Sequence, residues 1–382
     1  MMSPGGPGRQ TSGRRISGRQ TSEEPRVPAP VEADPTRPGA TEVVCLGESM
    51  VTFLPSRPGR LADVPAFTRT IGGAESNVAC ALAAAGHRVK WISRVGADGF
   101  GDHLVEAIGA YGVDTSGVRR DADGRPTGIY FRTATDRATT AHEVAYYRAG
   151  SAASAMSPAI MDRGDLWSGR VLHLSGITAA LSEDCLALMR ELAEPRAGRP
   201  LLSFDVNHRP ALWGDDSGPR SAARVLIDLA RGADLVFVGD DEAAQLWDLH
   251  GPEAIREALP EPAALVVKAG ADGATAFVRD GESDTVTSVP ALAVDVVAPV
   301  GAGDAFAAGF LSATLRDLPA CARLRHGHLT AAAVLTDAGD VCVPPARAHA
   351  DRLAALDDAA WAALRLGPGW TSGTSQEPAG TS

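Results

Sequence analysis

Residues 299–310 read PVGAGDAFAAGF. Gly301, Ala302 and Gly303 carry almost no side chain, so the backbone there can turn tightly and bring its N–H groups close to a ligand. From Ala305 onward the composition predicts a helix, with Phe306 and Phe310 one turn apart on a single face. A glycine-rich turn opening a helix makes an anion site, because unpaired amides and the positive end of the helix dipole point outward. Asp304 sits at that mouth. Its own charge repels phosphate, so a catalytic Asp304 would serve a hydroxyl that must lose its proton while attacking phosphorus. Taken alone, the twelve residues leave a second reading equally open, in which Asp304 only caps the helix.

Upstream, short apolar runs alternate with helical patterns. Strands are expected at 42–46 (EVVCL), 89–95 (VKWISRV), 171–174, 201–206 (LLSFDV), 235–238 and 265–268, the last with a hairpin partner at 274–278. Helices are expected at 76–85, 103–110, 183–192, 222–230, 240–246, 305–315 and 329–335, with 176–178 a turn. This alternation predicts an α/β fold, a largely parallel sheet with helices on both faces. Runs at 51–54 and 67–71 look like short strands around a polar loop. The rhythm breaks again at 127–133 (TGIYFRT) and 143–148 (EVAYYR), where no helix intervenes, which predicts antiparallel strands in a flap or at a sheet edge. Tyr130, Tyr146, Tyr147 and Arg148 gather there and would make a wall for a polar, anionic ligand, although strand propensity also favours tyrosine.

Two other stretches carry polar groups where such folds bind ligands. In IGGAESN, Gly72 and Gly73 form a turn and Asn77 falls in the first turn of the following helix. Asn207, His208 and Arg209 cluster at the carboxyl end of the 201–206 strand, the usual ligand edge of an open α/β sheet. The final position of the dinucleotide fingerprint is missing, no Walker A lysine follows a glycine, and the protein-kinase signatures and the Gly-x-Ser-x-Gly elbow do not occur.

Composition bounds the rest. The 382 residues carry 36 Lys and Arg against 47 Asp and Glu, a formal charge of −11, which argues against nucleic acid or an anionic membrane as the main partner. No apolar run reaches the length of a membrane span, and the N-terminus lacks the apolar core of a signal peptide. The five cysteines form no paired spacing, so a reducing, cytoplasmic location is expected. Residues 1–40 and 367–382 are rich in Gly, Pro, Ser and Thr and read as disordered tails around a folded body at 41–366.

Taken together, IGGAESN, RVGADGFG, FDVNHR, VVKAGADG and PVGAGDAFAAGF, in this order, resemble the ribokinase-like sugar kinases, also called the PfkB carbohydrate kinase family. Residues 143–154 (EVAYYRAGSAAS) are similar to 2-keto-3-deoxygluconate kinases within it. The resemblance implies a three-layer sandwich with a mostly parallel central sheet and a small β lid, its strands within about 49–71 and 125–150. It implies ATP-dependent phosphorylation of a sugar hydroxyl, with Asp304 as base and the turn of Gly301, Ala302 and Gly303 as anion hole. Gly73, Asn77, Tyr130, Tyr146, Arg148 and Arg209 would form the sugar side, an arginine meeting the carboxylate of an acid sugar. Lys268, Gly270 and Gly273 would line the adenine and ribose side, and Glu242 would serve Mg2+. Two positions depart from the pattern: Gly239 replaces the Asn of the family's Asn-x-x-Glu motif, and Ala298 stands where many relatives carry an Asp that binds an activating monovalent cation. Potassium is therefore expected to activate weakly or not at all. The expected substrate is 2-keto-3-deoxygluconate; the alternatives are another sugar, as in fructokinases, or a catalytically silent sugar- or nucleotide-binding protein. An exposed flap would also suit a homodimer.

Overall fold

The computed structural model describes residues 40–57, 59–132, 144–213, 220–298, 300–337 and 344–372. The expectations for 1–39, for Thr133 and Glu143 at the ends of the two flap runs, for Pro299 and for 373–382 fall outside the described residues.

The central sheet has eight strands in the spatial order Ser283–Val289, Ala274–Asp280, Ala264–Lys268, Leu235–Gly239, Leu201–Asp205, Val171–Ser175, Val43–Leu46 and Val89–Ile92. The last six run parallel, and the first two form an antiparallel edge. Burial on both faces explains the nearly continuous apolar runs. Successive side chains point to opposite sides: Val43 and Cys45 join one core with Trp91, Phe237 and Phe310, while Val44 and Leu46 join the other with Leu174, Phe204 and Val238. Parallel register aligns the carboxyl ends, so Ser175 pairs with Asp205 and Gly239 with Lys268 along one edge of the sheet. Polar residues can occupy that edge because the side-chain layers end there.

A second sheet has the order Phe67–Gly72, Met50–Pro55, Ile129–Arg132 and Val144–Tyr147. Phe53, Phe67, Phe131 and Tyr147 pack on one face, with Phe53 and Phe131 stacked at 4.7 Å. The antiparallel register sets Tyr130 opposite Tyr146 on the other face, their rings 5.4 Å apart.

Several expectations need correction, among them the helix expected at 103–110, which spans Gly99–Gly109. The run 89–95 is not one strand: Val89–Ile92 stays in the central sheet, while Arg94–Gly96 leaves it to pair with Arg119–Asp121. Residues Gly176–Ala180 form a helix rather than a turn, capped by the Ser175 hydroxyl. The helix expected from 329 starts nine residues earlier and spans Ala320–Leu335. The folded body does not stop at Leu366, because Trp370, in the short 3-10 turn Trp370–Ser372, packs on the core.

Candidate active site

Gly301 caps the helix Ala302–Leu315 with φ 78°, in the left-handed region that glycine enters without strain. The helix begins three residues before its expected start, which puts Asp304 inside its first turn. The amides of Ala302, Gly303 and Asp304 have no carbonyl four residues back within the helix. They face outward together with the dipole, an arrangement that fits a phosphate group.

The Asp304 carboxylate does not turn back onto these amides. Its Oδ2 accepts a hydrogen bond from Asn77 Nδ2 at 2.8 Å, and its Oδ1 accepts from Asn207 Nδ2 at 3.3 Å. Asn77 is aimed by the backbone that starts its helix, since its Oδ1 accepts the Gly73 N–H at 3.4 Å. Asn207 follows the strand Leu201–Asp205 with φ 41°, a conformation asparagine tolerates better than most residues. Burial pushes the Asp304 carboxyl up to about 6; the Asn77 hydrogen bond and the charges of Arg209 and Lys268 oppose this, and Asp205 adds to it.

In front of Asp304 opens a cavity of about 630 Å³. Gly73, Asn77, Tyr130, Tyr146, Arg148 and Arg209 all line it, with Gly301 at its floor, so the six residues expected on the sugar side come together from four separate stretches of chain. The two arginines differ. Arg148 is ion-paired with Glu48, an acid only 2% exposed, and lies 5.9 Å from the Tyr146 ring. Arg209 is exposed and donates to the adjacent His208 carbonyl at 3.0 Å.

Lys268, Gly270, Gly273 and Glu242 lie outside this cavity. Lys268 ends its strand with the ammonium on Asp205, at 2.9 and 3.1 Å, and 3.6 Å from where a Gly303 side chain would begin. Burial pulls its pKa down, but the charges of Asp205 and Glu242 outweigh that and leave it above the usual lysine value. Gly270 and Gly273, with φ 53° and 131°, shape the tight loop that follows. Glu242 accepts the His208 N–H at 2.8 Å and the Gly239 N–H at 2.9 Å, tying two strand ends together. Each oxygen keeps a lone pair, which fits a magnesium ion that retains its waters. No group of three His, Cys, Asp or Glu side chains converges as a metal cage among the described residues. Ala298 offers a methyl group and no side-chain oxygen.

Sequence reasoning did not single out Asp205 or Glu75; it noted Glu48 only as an acid at the end of the 42–46 strand, a common edge of an α/β site, and Asn207 only as one of a polar cluster. Glu75 is fully buried; its Oε1 accepts from the Ser175 amide and hydroxyl and from Thr178, while Oε2 has no partner among the described residues. Burial pushes it up to about 7.

A large, mostly parallel sheet flanked by helices, with a small sheet across the carboxyl edge and a glycine-capped helix start beneath it, defines a ribokinase-like protein. Residues 40–346 match the pfkB family carbohydrate kinase model, and the chain belongs to that family. It is 34% identical to a 2-dehydro-3-deoxygluconokinase of Bacillus subtilis over 310 residues, covering 80% of this chain and 93% of that protein. It is 31% identical over 283 residues to a probable chloroplastic fructokinase-6 of Arabidopsis thaliana, covering 72% of this chain and 71% of that one. Among solved structures, a PfkB protein from Polaromonas sp. JS666 superposes with a TM-score of 0.70 at 36% identity, covering 82% of this chain and 99% of that one. The protein is thus a carbohydrate kinase by family.

Proposed function

We propose that the chain phosphorylates 2-keto-3-deoxygluconate at the expense of ATP, with Asp304 as the base. The reading rests on one observation: the Asp304 carboxylate, fixed by Asn77 and Asn207, faces a cavity walled by two arginines. Asp304 would take the proton of the sugar hydroxyl. The amides of Ala302, Gly303 and Asp304 would hold the phosphoryl oxygens, and Lys268 would add its charge beside Gly303. Gly270 and Gly273 would bring the backbone close to the nucleotide. When bound, ATP supplies the phosphoryl group and magnesium shields its charge; Glu242 would hold the metal through water. Arg209, exposed and without a carboxylate partner among the described residues, would meet the carboxylate of the acid sugar, a charge-assisted contact worth roughly 1.5–3 kcal/mol.

A neutral-sugar kinase of the fructokinase kind is the second reading, favoured by the neutralisation of Arg148 by Glu48. A coupled ADP assay over a panel of sugars separates the two. The acid sugar is expected to exceed neutral hexoses in kcat/KM by about tenfold or more, the worth of one such contact. Equal rates on fructose would overturn the acid-sugar reading.

A further inference from the structure

The chain passes between the body and the small sheet four times among the described residues, and all four passages meet at one residue, Glu48, three through its side chain and one through its carbonyl oxygen. The first is Gly47–Ser49 itself, between the strands Val43–Leu46 and Met50–Pro55, where Glu48 lies almost fully buried. The second returns from Phe67–Gly72 through Gly73, so close beneath that a Cβ there would run into the Glu48 carbonyl oxygen. The third enters Ile129–Arg132 through Gly128, whose Cβ would stand 2.9 Å from Glu48 Oε1. The fourth leaves Val144–Tyr147 through Arg148 and Ser151. The Ser151 hydroxyl donates to Glu48 Oε1 at 2.6 Å, and the Arg148 guanidinium pairs with Oε2. Beside this point Ser76 Oγ donates to Ser49 Oγ at 3.0 Å, joining the first passage to the helix Ala74–Ala84 that carries Asn77.

We infer that Glu48 is a positioning residue that clamps the small sheet onto the body and sets the Arg148 guanidinium against the cavity wall. Hydrogen bonds and ion pairs buried this deeply hold geometry, because a separated partner would be left uncompensated in a dry site. The clamp acts on the passages rather than on the sheet itself, so its loss should free the sheet as a unit. Arg148 then addresses a ligand as an oriented donor whose charge is already balanced. The clamp stands on geometry alone; its effect on sugar affinity rests on the sugar-kinase reading above.

Glu48→Gln tests this, since the amide preserves shape and can still accept from Ser151. Amide hydrogen exchange at 129–132 and 144–147 is expected to rise about tenfold or more, the scale of one lost charged contact, with 201–205 unchanged. In the same variant KM for the sugar is expected to rise by a comparable factor while KM for ATP holds. Ser151→Ala removes one hydroxyl and should shift exchange the same way by less; it carries the test if Glu48→Gln does not fold. Equal acceleration in both sheets would make Glu48 a general stabiliser, and unchanged exchange in the small sheet would remove the clamp; either result overturns the inference. A wild-type protein that phosphorylates no sugar overturns the kinase reading and leaves the exchange comparison standing.

Discussion

As the proposed base, the carboxyl group of Asp304 meets two opposed demands. A base must be ionised at working pH, yet it gains strength only when its ionised form is held back. Burial does the second, while the Asn77 amide and the charges of Arg209 and Lys268 limit it, leaving a group near 6 that is charged at neutral pH and more basic than an ordinary aspartate. Asp304→Asn should therefore keep sugar binding within a few-fold while turnover falls by about 10² or more. Calorimetric titration of the sugar beside steady-state rates checks both halves, and a mild loss of rate would reduce Asp304 to a structural role. If Asp304 is the base its protonated form is inactive, so kcat/KM of the wild type should fall with unit slope below a pH of about 6.

Asp304 holds its place only as firmly as its helix does. The helices Ala302–Leu315 and Ala320–Leu335 touch so closely at Gly309 that a Cβ there would run into the His326 carbonyl, with Thr330 alongside. Gly309→Ala should cost about 1–3 kcal/mol through overpacking and shift the Gly301–Asp304 turn with it. Urea unfolding reads the first effect, and an unchanged midpoint would contradict it. At this scale the sequence was most legible where one local pattern decides one element. Short, largely apolar runs such as LLSFDV mark buried parallel strands, and the glycine turn marks the helix that carries Asp304. Legibility failed where partners lie far apart in the chain. Nothing near Ser93 announces that the strand breaks to serve another sheet. The Asp205–Lys268 pair spans 63 residues, and the Glu48–Arg148 pair spans 100. The site residues Asn77 and Arg209 could be placed because they stand beside glycine turns or strand ends, which fix direction locally. Glu48 stands at such an end too, but only the folded passages give its carboxylate a task.

Over the whole molecule the buried titrating groups pull stability in opposite directions with pH. Burial lowers His173 to about 3 and His328 to about 4. With folded values below unfolded ones, these histidines favour the fold above about pH 6.5, a contribution lost as pH falls. Glu75 and Asp304 are raised instead, to about 7 and about 6. Their contribution is complete below their unfolded values near 4 and is lost as pH rises through 6 and 7. Between about pH 4.5 and 6 the two pairs oppose each other and nearly cancel, so each is read by removing one group rather than from the wild-type curve. For Glu75, a shift from 4.5 to about 7 corresponds to roughly 3 kcal/mol withheld from the fold at pH 8. Glu75→Gln should thus gain on the wild type as pH rises from 5 to 8, by up to that amount. Any fixed cost of burying the amide is the same at every pH, so the slope of the difference is the quantity to read. Parallel thermal melts of the two proteins across that range would show it, and curves that stay the same distance apart would mean that Glu75 is already charged in the folded protein.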